Sequence, residues 1–222
     1  MTVRGLVFDL DGTLVDTLGT IAAALNHGLG VLGLPTHPNR AVATMVGEGV
    51  RVLCRKALPD ARRDDESLLE RLLVETRAFY DANVLLGARP YDGVEAMLRT
   101  LVEEGARLAV LSNKPDPLTV ATMEGLGWAG LFEVVLGHRE EFPRKPDPTS
   151  VRWILDRIGL APAETLYVGD TPIDMRTARA ASIPSIAVTW GFRGRAELEA
   201  ERPDHLVDRA EEIVRLAGAT AP

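Results

Sequence analysis

The chain has 222 residues, 46% of them hydrophobic and 26% charged, which suits one domain or one domain carrying a smaller insertion and excludes wholesale disorder. Lys and Arg number 25 against 32 Asp and Glu, and the net charge of −7 excludes nucleic acid and membrane surfaces as expected partners. One cysteine, Cys54, rules out an internal disulfide and reads as a small apolar helix residue in a reducing compartment.

The first predicted element is a strand over Val3–Phe8, a continuous apolar run of the kind buried on both faces. It carries no h-region or cleavage site, and no run in the chain approaches bilayer length, so a cytoplasmic location is expected. Residues 16–88 are then helical. Leu18, Ile21, Ala22, Leu25, Leu29 and Leu32 follow i, i+3, i+4, i+7 spacing, and so do Leu68, Leu69, Leu72, Leu73, Thr76, Phe79 and Tyr80. Val50, Leu53, Cys54 and Ala57 sketch a helix between them. Asp16 and Thr17 read as caps of the first of these helices.

From Gly93 a strand–helix rhythm sets in. Gly93–Glu104 is a predicted helix with Val94, Met97, Leu98 and Leu101 on one face and Gly105 as its stop. Strands follow over Arg107–Leu111 and Glu133–Leu136, then a helix over Pro148–Ile158 stopped by Gly159. Further strands are predicted over Thr165–Val168 and Ser185–Thr189, with a weaker one over His205–Val207. Gly218–Pro222 are expected to fray. The fold class is therefore α/β, a Rossmann-like doubly wound parallel sheet formed by residues 1–15 and 89–222, with 16–88 as an inserted α-helical subdomain.

Reactive side chains fall at the carboxyl ends of four predicted strands, where open parallel sheets bind ligands. Asp9 and Asp11 follow the first, Ser112 and Asn113 the second, Lys145 the third, and Asp170 and Asp174 the fourth. Clustered carboxylates repel unless a cation sits among them, and hard oxygen donors suit Mg²⁺. Lys145 adds a positive charge, Ser112 a hydroxyl, and Gly12 lets backbone N–H groups approach an anion. Such a set suits phosphoryl transfer, which rests on placing the group in line and neutralising its oxygens. Taken singly, Asp9 or Asp170 could merely cap the next helix, and Asp174 could pair with Lys145 or Arg176.

Asp9-Leu10-Asp11-Gly12-Thr13-Leu14-Val15-Asp16-Thr17, Leu111-Ser112-Asn113, Lys145-Pro146-Asp147-Pro148 and Val168-Gly169-Asp170-Thr171-Pro172-Ile173-Asp174 resemble, in order, the four motifs of the haloacid dehalogenase superfamily. The resemblance spans Val3 to Phe192, and the helical insertion resembles that family's small cap domain. It implies that Asp9 is a nucleophile forming an aspartyl phosphate. Asp11 would be the general acid and base. Ser112 and Lys145 would hold the phosphoryl group, with Asn113 shaping their loop and Gly12 and Thr13 supporting the phosphate site. Mg²⁺ would be held by Asp9, the Asp11 backbone carbonyl and Asp170, with Asp174 acting through water or by positioning its neighbours. Dehalogenases generally lack the second aspartate of the first motif, so Asp11 favours phosphate transfer.

Val46–Leu53, Ala57-Leu58, Tyr91–Val94 and Val188–Gly191 resemble segments of phosphoglycolate phosphatases. The implied substrate is a small phosphate ester, foremost 2-phosphoglycolate, whose carboxylate could meet Arg51 or Arg55. The alternative is that both arginines occupy a solvated helix face. Other functions open to the same motifs are a phosphosugar mutase of the β-phosphoglucomutase kind, a pyrophosphatase or a nucleotide phosphatase. A monomer or homodimer is expected. Two departures from the family pattern stand out: Ser182, where a glycine usually ends the helix after the fourth motif, and Glu140–Arg144 before Lys145. The histidines His27, His37, His138 and His205 show no ligand spacing.

Overall fold

A computed structural model describes residues 3–218. The chain divides into two compact units, one comprising the residues up to Asp16 and again from Pro90 on, the other running from Thr17 to Arg89. The two-residue strands β2 (Val15–Asp16) and β3 (Arg89–Pro90) stand at the crossings between them.

The first unit is built on six parallel strands: β1 (Gly5–Phe8), β4 (Arg107–Pro115), β5 (Val134–His138), β6 (Thr165–Gly169), β7 (Ser185–Val188) and β8 (His205–Val207). Their order is β5-β4-β1-β6-β7-β8. The expected parallel α/β sheet is present, and all six predicted strands are in it. β1 lies at the centre, with Leu6 beside Leu108 on one side and Leu166 on the other. Every residue of β1, β6 and β7 is buried, which explains why these strands read as unbroken apolar runs rather than alternating ones.

The helices α5 (Val94–Glu103), α6 (Asp116–Gly125), α7 (Thr149–Ile158), α8 (Pro172–Ala181), α9 (Arg195–Ala200) and α10 (Ala210–Gly218) flank the sheet. α5 buries Val94, Met97, Leu98 and Leu101. α7 buries Val151, Ile154, Leu155 and Ile158 in a core that Val7, Leu111, Leu136 and Tyr167 line from the strands. Gly159 ends α7 in the left-handed conformation, φ 59°. Gly218 closes α10 rather than fraying, and 219–222 lie outside the described residues.

Chain order explains the site. From β1 the chain runs out towards β4 and β5, and from β6 it runs the other way to β7 and β8. β1 and β6 are neighbours, so their connections diverge beyond their carboxyl ends and leave a crevice there. Asp9 and Asp170 are the first residues beyond those two strands.

The second unit comprises α1 (Leu18–Val31), α2 (Asn39–Ala43), α3 (Val50–Ala57) and α4 (Glu66–Ala82). Ile21, Ala22, Leu25 and Leu29 of α1 and Leu68, Leu69, Leu72 and Leu73 of α4 are buried, on the periodicity that predicts them. Asp65 caps α4 by accepting the Leu68 N–H at 2.9 Å. Thr17 stands at the N-cap of α1, but its side chain makes no capping hydrogen bond, unlike the expectation. Cys54 is buried against Thr76, and burial pushes its thiol up to about 11, the behaviour of a packing residue.

Candidate active site

Parallel register carries Asp9 to the crevice. Phe8 lies level with Val168, and the Asp9 N–H donates to the Val168 carbonyl at 2.9 Å, one step beyond the strand pairing. The Asp9 carboxylate accepts from Lys145 Nζ at 2.8 Å. The same ammonium donates to Asp174 Oδ1 at 2.7 Å. Asp174 also accepts from the Thr171 N–H at 3.1 Å and from Thr171 Oγ1 at 2.6 Å. It thus stabilises the first turn of α8 and, as its simplest reading has it, pairs through its other oxygen with Lys145, while Arg176 pairs with Glu201. Asp170 accepts from Thr13 Oγ1 at 3.0 Å and from the Phe192 N–H at 2.7 Å.

Asp9, Asp170 and Asp174 each bring a carboxylate oxygen within 4.8 Å of the others, and all three are buried. Backbone economy lets them approach. Gly12 has φ +93°, and a Cβ there would stand 2.3 Å from Asp170 Oδ2. A Cβ on Gly191 would stand 2.3 Å from the Asp170 Cβ. Trp190 fixes the facing loops by donating from Nε1 to the Thr13 carbonyl at 3.0 Å.

The electrostatics of this pocket are unbalanced. Three carboxylates face one ammonium, an excess of two negative charges when all are ionised. Desolvation and then the Asp174 charge push Asp9 well above the ordinary carboxylate range, and Lys145 offsets only part of that. Asp170 rises to about 7, again by desolvation first and Asp174 second. Burial works against the Lys145 charge, but Asp174 and Asp9 outweigh it and hold the ammonium above its usual range. An excess of two charges on hard oxygen donors fits one divalent cation, and the donor set is of the kind that Mg²⁺ takes.

The rest of the predicted set falls around this cluster, with corrections. Ser112 and Asn113 lie within β4, which runs on to Pro115 through a register shift, rather than after a strand ending at Leu111. Ser112 is buried, and its Oγ accepts the Lys114 N–H at 3.2 Å. Asn113 accepts the Lys145 N–H on Oδ1 at 2.9 Å and donates from Nδ2 to the Lys145 carbonyl at 3.3 Å. Its amide thus clamps the backbone of Lys145 and shapes that loop. Asp11 directs its carboxylate to Lys114 Nζ at 3.1 Å and is not in the three-carboxylate cluster.

Within the helical unit, Arg51 pairs with Glu66 at 2.6 Å and with Glu70, and Arg55 pairs with Glu66 at 2.6 Å. The Arg51 side chain is 45% exposed, so the solvated-face reading describes it better than a carboxylate receptor. Sequence reasoning missed Lys114 and the Phe192 contact to Asp170, and it quoted Thr171 and Val188–Gly191 within motifs without assigning them the contacts they make to Asp174 and Thr13. Lys114 carried a signal: a lysine directly after the second motif, ahead of Pro115, inside what proves to be a buried strand.

The architecture is shared with known proteins. Residues 6–188 match the family of haloacid dehalogenase-like hydrolases. A phosphoglycolate phosphatase of Rhodospirillum rubrum is 38% identical over 194 residues, 85% of this chain and 80% of that protein. A phosphoglycolate phosphatase of Pectobacterium atrosepticum is 33% identical over 222 residues, 97% of this chain and 93% of that one. Among solved structures, a predicted phosphoglycolate phosphatase from Haemophilus somnus superposes with a TM-score of 0.90 at 28% identity, covering 97% of this chain and 98% of that one. The chain belongs to the haloacid dehalogenase-like hydrolase family. Within that family it is phosphoglycolate phosphatase-like along almost its whole length.

Proposed function

We propose that this phosphatase is Mg²⁺-dependent and hydrolyses a small phosphate monoester, foremost 2-phosphoglycolate, through a phosphorylated Asp9. The observation that carries the reading is Lys145 Nζ held between Asp9 and Asp174 at 2.8 and 2.7 Å beside buried Asp170. A pocket that raises the carboxyl of Asp9 disfavours the anionic nucleophile until a cation arrives. Asp9, Asp170 and the Asp11 carbonyl would hold Mg²⁺, which when bound supplies the charge that offsets the phosphoryl oxygens and the ionised carboxylates.

The chain's own groups do the rest. Asp9 Oδ attacks phosphorus, and the bond from phosphorus to the ester oxygen breaks. That oxygen takes a proton from the Asp11 carboxyl and leaves as the alcohol. The Asp11 carboxylate then takes a proton from water as the water oxygen attacks phosphorus. The phosphorus–Asp9 bond breaks, its electrons return to the Asp9 carboxylate, and inorganic phosphate leaves. The net change is ester plus water to alcohol plus phosphate. Lys145 orients Asp9, with its backbone clamped by Asn113, and the Ser112 hydroxyl donates to a phosphoryl oxygen. Thr13 orients Asp170, and Gly12 lets the loop approach. Residues 16–88 are assigned as the cap subdomain and the source of substrate selectivity.

The relatives named above support the substrate choice. A panel of phosphate esters with Mg²⁺, scored by kcat/KM, tests it. The reading predicts phosphoglycolate at the head with stoichiometric release of phosphate. Isomerisation of a sugar phosphate without release of free phosphate would transfer the chain to the mutases.

A further inference from the structure

Lys114 has no place in the four motifs, yet its ammonium is as deeply placed as that of Lys145. The Lys114 and Asp11 side chains are 4% and 13% exposed, and Nζ lies 3.1 Å from Asp11 Oδ1. A pair such as Arg99–Glu95, by contrast, lies at 55% and 50% exposure. Exposed pairs contribute little, whereas burying an ammonium is costly unless it is matched. The backbone at Lys114 is held at both ends. Its N–H donates to Ser112 Oγ at 3.2 Å, and its carbonyl accepts from Thr119 Oγ1 at 3.3 Å. The stem of the lysine therefore leaves β4 from a fixed point, next to the serine that faces the phosphoryl group.

We propose that Lys114 is a positioning residue that fixes the carboxyl of Asp11 for proton transfer to the leaving oxygen. The inference rests on the reading of Asp11 as acid and base. A carboxyl on an extended loop would otherwise sample several rotamers, and an ammonium on one oxygen sets its plane. Misplacement by about 1 Å costs on the order of a hundredfold in rate. Lys114 takes no part in bond making. The proton goes from Asp11 to the ester oxygen, and the lysine keeps its own.

The test turns on leaving-group chemistry. A p-nitrophenolate departs without protonation, whereas the alkoxide of phosphoglycolate needs a proton in the transition state. In single-turnover experiments with Mg²⁺, Lys114→Met is expected to release p-nitrophenolate within about threefold of the native rate and to cleave phosphoglycolate about a hundredfold more slowly. Lys114→Arg, which keeps a donor, is expected to recover much of the loss. Asp11→Asn is the reference. If it shows the same leaving-group pattern and Lys114→Met slows both substrates equally or neither, the positioning role falls and Asp11 stands. If Asp11→Asn itself shows no such pattern, the acid role of Asp11 falls and the inference with it. Should the Met variant fail to fold, the same comparison in Lys114→Gln decides.

Discussion

Asp170 shows at the scale of one residue how burial and charge act on a clustered carboxyl. Its carboxyl is fully buried and raised to about 7, although Thr13 and the Phe192 N–H both favour its charged form. In the unfolded chain the same group ionises near its model value of 3.8. Between those limits the folded state holds a proton that the unfolded state has lost. The metal-free protein therefore loses stability as pH rises through that window. A cation binds only the ionised form, so a proton competes with it as pH falls through about 7. On the proposed ligand set, Mg²⁺ affinity by calorimetry is expected to weaken as pH falls through about 7. A flat affinity down to about pH 5.5 would contradict this. The residues of this cluster were legible because Asp9 and Asp170 stand at strand ends, Asp174 follows in the first turn of α8, and each has a motif around it. Lys114 was not, since a lysine after a polar turn ordinarily reaches solvent and only the buried extension of β4 keeps it inside. Arg51, for which a solvated helix face was the alternative, is paired to Glu66 and Glu70 of its own unit.

The elements repeat the pattern. Continuous apolar runs identified the strands, and face periodicity identified α5, α7, α1 and α4, because those residues go into the core. The end of β4 was misplaced because Ser112, Asn113 and Lys114 interrupt the apolar run while the backbone continues as strand. α6 gives little periodic signal since two of its three buried residues are Thr119 and Thr122. Ser182 was visible as a departure, and the structure supplies its physical meaning. It ends α8 at φ 59° and ψ 36°, a left-handed conformation that costs a residue with a Cβ about 1–2 kcal/mol. Glycine relieves that strain at a smaller cost in unfolded-state entropy. Ser182→Gly is therefore expected to stabilise the protein by about 0.5–1 kcal/mol, read as a higher urea midpoint with an unchanged slope. A lower midpoint would show that the Ser182 side chain contributes more than its backbone costs.

Across the molecule, a sheet with β1 and β6 adjacent and their connections diverging creates one crevice, where Asp9 and Asp170 stand just beyond the two strands. The chain's overall charge of −7 opposes an anionic substrate, so on the proposed mechanism the attraction would come from Lys145 and a bound cation. The central claim is that phosphorus passes through Asp9. Acid quenching of a single turnover with phosphoglycolate and Mg²⁺, followed by peptide mass analysis, measures that directly. The account predicts one phosphoryl group on the peptide carrying Asp9, labile to hydroxylamine, absent without Mg²⁺ and absent in an inactive Asp9→Asn variant. Full turnover by Asp9→Asn, or a phosphoryl group on any other residue, would contradict it.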